Sequence, residues 1–197
     1  MKRIVLLIAL ALLTTAAYAE KVVGSYTLCE EQKNLEAYID DRGVLKVFVE
    51  VTGEYTNDKV MIKIDGESDI NKFINQLKYC KTKYVEWSDV AKNNNVTDFT
   101  KDIDVTFPNV EIWWRGSEWF SSHKRNFIKP RFYVDKNGKA AIITGGEATD
   151  WDNEYIGQKW YMFLISTEEI DSLINALNPE KIKNVLNQDK NADSLFN

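Results

Sequence analysis

Between Gly145 and Gly157 the chain reads GGEATDWDNEYIG, which gathers four carboxylates, Glu147, Asp150, Asp152 and Glu154. Carboxylates at alternate positions can turn their oxygens toward one hard cation such as calcium. Asp150-x-Asp152-x-Glu154 has that spacing, but Tyr155 stands where a calcium loop needs glycine and no bidentate glutamate closes the run. No metal is assigned, Asp150, Asp152 and Glu154 being a weak candidate set, and the stretch reads as an acidic, solvated hairpin tip. Paired carboxylates also serve glycosidases as acid and base, which requires a set separation across a cleft.

The second concentration of chemistry is NVEIWWRGSEWFSSHKRNFIKPRFY, from Asn109 to Tyr133. As a strand, its start sets Val110, Ile112 and Trp114 on one face, with Trp113 and Arg115 on the other. Trp114 and Trp160 read as core. Trp113, Trp119 and Trp151 make a candidate aromatic platform, the kind of surface that stacks on sugar rings or anchors a protein partner. His123, Arg125 and Arg131 complete the candidate binding set, and Lys124 and Lys129 make this loop locally basic. Such a run either receives an acidic group or is simply solvated. Ser121 and Ser122 adjoin His123, the only histidine, but adjacency is not triad geometry, and no nucleophile-elbow pattern occurs. One histidine excludes His-rich zinc sites, and no phosphate-binding loop or dinucleotide fingerprint is present. The sequence assigns no catalytic residue and no cofactor.

The chain of 197 residues opens MKRIVLLIALALLTTAAYAE, with a basic start, an unbroken apolar run from Ile4 to Leu13 and a small-residue cleavage site at Ala17-Tyr18-Ala19. That run is shorter than the roughly 20 residues needed to span a bilayer. The expectation is a signal peptide over 1–19, cleavage after Ala19, and a secreted or periplasmic chain without an integral membrane segment. Removing Lys2 and Arg3 moves the formal charge from −5 to −7. Such acidity gives no footprint for nucleic acid. Cys29 and Cys80, the only two cysteines, are a disulfide candidate in an oxidising compartment, the alternative being two separate buried thiols.

The elements that must position these groups repeat. Ile70, Phe73, Ile74 and Leu77 line one helical face, and Ile170, Leu173, Ile174 and Leu177 line another one hundred residues later. Each helix follows an alternating strand, KVMIKID or KWYMFLI, and each is preceded by an Asp-x-x-Gly turn, YIDDRG or YVDKNG. Ser166 and Glu169 form a capping box; Asp65 or Ser68 is the cap of the first helix. With VVGSYTLCE and NVEIWWRG as the opening strands, the pattern predicts an α+β fold of two tandem antiparallel-sheet-plus-helix units, approximately ββββα twice, with a C-terminal helix. The units span 20–95 and 96–188, joined through AKNNNVTD. Asn178 and Pro179 start the last helix, which runs to about Asn187, and 189–197 is a flexible tail.

Each helix covers only one sheet face. The other face of the first sheet carries Lys46, Glu50, Lys59, Met61 and Lys63 and reads as mostly solvated. In the second sheet it carries Ala141, Ile143, Tyr161 and Phe163, apolar positions expected to pack within the chain. The second half also holds five extra residues in its acidic loop. The functional expectation is an exported, soluble, non-enzymatic binding protein that recognises a protein partner through this aromatic-rich half, the partner being an enzyme it inhibits or an envelope component. A carbohydrate-binding module or glycan-active enzyme using the same tryptophans is the alternative.

Overall fold

The two Asp-x-x-Gly turns fold alike. Gly43 and Gly138 both take left-handed φ, 76° and 79°. In each turn the glycine N–H donates to the aspartate carbonyl, and the aspartate N–H closes the hairpin on the residue after the glycine. The carboxylates finish the job: Asp40 Oδ1 accepts from Arg42 and Val44 amides, and Asp135 Oδ1 from Asn137 and Lys139. A side chain that satisfies its own turn's amides, followed by a residue free to adopt φ > 0, fixes the hairpin locally.

These turns sit within an α+β fold, a ten-stranded antiparallel sheet with three helices, in a computed structural model describing residues 20–55, 58–116, 118–122 and 126–194. The expected signal peptide, 1–19, lies outside the described residues. The first half contributes β1 (Lys21–Leu28), β2 (Glu31–Ile39), β3 (Leu45–Gly53), β4 (Lys59–Asp65) and α1 (Gly66–Asn93). The second contributes β5 (Phe99–Asp102), β6 (Glu111–Arg115), β7 (Trp119–Ser121), β8 (Arg131–Val134), β9 (Ala140–Thr149), β10 (Gly157–Leu164), α2 (Thr167–Ala176) and α3 (Pro179–Ser194).

Two meanders, β1-β2-β3-β4 and β5-β8-β9-β10, merge because β3 pairs with β2 along its first half and with β10 at its end, through Trp160 opposite Gly53 and Tyr161 opposite Thr52. The tandem two-unit arrangement is not what the sheet shows. NVEIWWRG does not open the second meander: its strand β6 pairs with β4 and extends the first half, followed by β7. The short β5 takes the place expected for it, beside β8. Nor does α1 serve one half alone. Ile70, Phe73, Ile74 and Leu77 are buried, and the helix packs on β3, β4, β8 and β9 alike. Further along it, Tyr84 and Trp87 set their rings edge-on to Phe132 of β8. Each buried aliphatic or aromatic side chain contributes about 2 kcal/mol as an upper estimate.

At the helix starts, Asp65 occupies the N-cap position of α1 but its side chain makes no cap bond. Ser166 does cap α2, accepting from the Glu169 amide at 3.2 Å. The return half of the box goes elsewhere: Glu169, almost fully buried, accepts from the Ile165 and Glu30 amides at 2.8 Å each. Asn178 Oδ1 accepts from Glu180 and Lys181 amides, and α3 continues to Ser194, past the expected end at Asn187.

The candidate disulfide is not formed. Cys29 is exposed at the β1–β2 turn and Cys80 lies on the buried face of α1, both as free thiols. Burial pushes the Cys80 thiol up to about 12. Burial, then Glu169, raises that of Cys29. A maleimide should therefore modify one thiol in the native protein, Cys29, faster as pH rises, and reach Cys80 only after denaturation. Mass spectrometry showing neither thiol or both labelled under native conditions would refute this assignment.

Candidate functional site

The outer face of the first sheet is not solvated. Phe48 and Met61 are fully buried on it, and Lys46 and Glu36 are nearly so. The cover is an ionic lattice laid over aromatic rings. Lys59 on β4 reaches Glu36 on β2 at 2.6 Å, so its chain crosses the face of β3. Lys63 reaches Glu111 on β6 at 2.9 Å, and Lys46 lies 3.1 Å from Asp65. Beneath, Phe48 stacks with Tyr38 and meets Trp113 edge-on at 5.6 Å between centroids. Trp113 and Trp119 stand 6.3 Å apart, with Lys63 over the first and Lys59 over the second. The Trp113 indole N–H donates to Glu111. Lysine stems lying on apolar groups while their heads pair with carboxylates account for the burial. Two of the three platform tryptophans are thus brought together, Trp113 half-buried within the lattice and Trp119 more open. Trp114 and Trp160 lie in the core, as their neighbours predicted.

Glu20, the residue expected to follow the cleavage site, also faces this lattice. Burial first, then the Glu36 carboxylate, raises its pKa against opposing help from Lys59 and Lys63.

Trp151 lies on the β9–β10 loop, tied to β7 rather than to the other two rings. Its backbone N–H donates to the Ser121 carbonyl at 3.0 Å, and the Ser121 N–H donates to Asp150 Oδ1 at 3.2 Å. Asp150 Oδ2 also accepts from the Asp152 and Asn153 amides. A carboxylate so bonded fastens the loop to β7. Among the described residues no three His, Cys, Asp or Glu side chains group to hold an ion. Just past the loop, the first residues of β10 reach the β3–β4 turn, where Gln158 donates to Asp58 at 2.9 Å and Lys159 pairs with Glu54. The β9–β10 loop, β7, the start of β10 and the β3–β4 turn are therefore tied together at one end of the sheet.

Between the end of β9 with its loop and the segment after β7 lies an open cleft of about 540 Å³ lined by Ser122, Asn126, Glu147, Thr149, Asp150, Trp151 and Glu154. Ser122 Oγ accepts from the Ile112 amide at 2.9 Å and from Asn126 Nδ2 at 2.5 Å, which ties β6 to the segment that follows β7. His123 and Arg125 lie outside the described residues. Arg131 is exposed on β8, away from this cleft. Sequence reasoning missed the exposed rings of Tyr55, Phe127 and Tyr155, on or beside the same loops. Their only signal was an aromatic residue within a turn-rich stretch. No family model, curated protein or solved structure matches the chain.

Two outcomes follow. Trp113→Ala should cost about 2 kcal/mol, because it empties a half-buried site and removes one of the donors to Glu111, whereas Trp119→Ala should cost under about 1 kcal/mol. Urea melts giving equal losses would show that both rings are core. For Glu20, a folded-state pKa above the unfolded one means that its ionisation opposes folding as pH rises through the glutamate range. Glu20→Gln should raise the melting temperature at about pH 7 and leave it unchanged at about pH 3, where both states are protonated. An equal gain at both pH values would show that charge is not the cause.

Proposed function

We propose that the chain is an exported, non-enzymatic binding protein that recognises a protein partner through the locked loops at this end of the sheet. One observation carries the reading. Of the seven exposed aromatic rings among the described residues, five, Tyr55, Trp119, Phe127, Trp151 and Tyr155, belong to the loops and short strand gathered here. Aromatic side chains supply large contact area at low entropic cost, and loops already fastened by hydrogen bonds need little further ordering on binding. Carboxylates stand among the rings, at Glu54, Asp58, Glu118, Asp152 and Glu154, so the partner fitted to this end presents a basic rim around an apolar centre. A duplicated ββββα ancestry fits the matching turns, but the reading does not depend on it.

A second reading has its own support in the cleft. Trp151 beside Glu147, Glu154, Asn126 and Thr149 offers a ring face with acceptors and a donor, the chemistry that holds a sugar.

The test uses a double variant, Trp119→Ala with Tyr155→Ala. It should retain the wild-type melting temperature within about 2 °C and lose a basic protein that crosslinks to the wild-type chain in the envelope fraction. Retention of that protein by the double variant would exclude this surface. Binding on a glycan array, abolished by Trp151→Ala, would instead select the sugar reading.

A further inference from the structure

Ile143, Tyr161 and Phe163, on the outward face of β9 and β10, are only half-buried, so the packing within the chain expected from the sequence is not reached. At the end of β9 away from the aromatic loops stands the YVDKNG turn, which carries a reactive pair. Asn137-Gly138 is the single Asn-Gly step in the chain. The amide carbon of an asparagine side chain is one five-membered ring closure from the nitrogen of the next residue, and glycine, having no Cβ, hinders that closure least. Both residues are exposed at the hairpin tip.

Asp135 restrains the pair. Its carbonyl accepts from the Gly138 N–H at 3.0 Å, which ties up the attacking nitrogen. Its Oδ1 accepts from the Asn137 and Lys139 amides at 2.8 Å each, and Asn137 Nδ2 donates to its Oδ2 at 3.4 Å. Accepting these amides, that of Lys139 first, holds the Asp135 carboxyl below its usual range. The turn at Asp40 is built the same way, but Arg42 stands where Asn137 does, so it has no side-chain amide to lose. The Asp135 carbonyl also accepts from the Asp98 amide at 3.1 Å, just before β5, a strand whose ladder is with β8.

We propose that Asn137 is a site of spontaneous deamidation, restrained by Asp135, and that the reaction weakens the hold on β5. The Gly138 nitrogen gives up its proton to hydroxide and attacks Asn137 Cγ. The Cγ–Nδ2 bond breaks, ammonia leaves with a proton from water, and a succinimide closes. Water then adds to one of the two imide carbonyls. Breaking the bond from Cγ to the Gly138 nitrogen gives aspartate; breaking the bond from the main-chain carbonyl gives isoaspartate, with the backbone routed through Cβ. No electrons are transferred, and one water is taken up for each ammonia released. Either product sets a second carboxylate against Asp135 in place of a donor, and like charges so close repel. The site lies apart from the aromatic loops and does not rest on their reading.

Peptide mapping of the purified chain, held in warm and mildly alkaline buffer, should find aspartate and isoaspartate at Asn137 ahead of every other asparagine. Asn137→Ser should remove that product. Unfolding in urea should speed the reaction about tenfold, because the turn no longer holds the Gly138 nitrogen. Asp135→Ala should speed it roughly threefold or more in the folded chain. Asp135→Asn, which keeps an acceptor, is the milder variant should the alanine chain fail to fold, with a smaller acceleration expected. Asn137→Asp should lower the melting temperature and speed hydrogen exchange of the β5 amides. Absence of product at Asn137 even in the unfolded chain would overturn the site, and equal rates in wild-type and Asp135 variants would overturn the restraint. An Asn137→Asp chain that protects β5 as well as wild type would overturn the consequence.

Discussion

The fold depends on a two-residue seam. β3 spends most of one edge on β2, and the hydrogen bonds of its last residues go to β10. Where β2 departs, the Tyr26 hydroxyl donates to the Glu50 carbonyl, so the divergence leaves no stranded acceptor there. Glycine makes the end of β3 possible. A Cβ on Gly53 would come within 2.6 Å of the Asp58 side chain and 2.9 Å of Val60. Without this seam there would be two small sheets with two edges each. With it, one sheet carries a common core in which α1 touches both meanders.

Glu169 makes the corresponding connection on the helix side. Its buried carboxylate draws together the end of β10 at Ile165, the β1–β2 turn at Glu30 and the first turn of α2. A buried carboxylate is tolerable when its oxygens accept backbone amides near a helix N-terminus, and costly otherwise. The turn it holds is strained, with Cys29 and Glu30 both at positive φ, 52° and 65°. That conformation persists because the Glu30 amide has a fixed charged acceptor. The same economy operates at the opposite end, where Asp58 and Asp150 organise their own turns and also reach neighbouring strands.

Whatever was written in local periodicity was legible in the sequence. The buried faces of α1 and α2, both Asp-x-x-Gly hairpins, the Ser166 and Asn178 caps and the core positions of Trp114 and Trp160 follow from spacing and side-chain chemistry alone. Partner choice between strands was not legible. The period of two in β6 says that Ile112 and Trp114 face one way, but nothing in it says that β4 is the neighbour. β5 gave no signal at all, because its four residues are all exposed and carry no alternation. The lysines at 46, 59 and 63 were misread as a solvated face for a related reason. Their carboxylate partners lie on other strands, and only pairing reveals that Glu36 and Glu111 fall within reach. The aromatic loops were half legible: Trp119 and Trp151 stood out by type, while Tyr55 and Tyr155 acquire meaning only when the turns meet.

Trp113 and Trp119 show how an identical residue type acquires different roles on one sheet face. Both rings lie beneath a lysine, yet Trp113 is also wedged against Phe48 and hydrogen-bonded to Glu111, so removing it disturbs three groups. Trp119 sits one strand further out, where the lattice ends, and no hydrogen bond ties its indole among the described residues. An exposed ring held in place by neighbours rather than buried by them loses little freedom when it meets another surface, which is the physical condition for an anchor. The acidic groups around it guard against indiscriminate association of so much exposed aromatic area, since like charges oppose contact between two such ends.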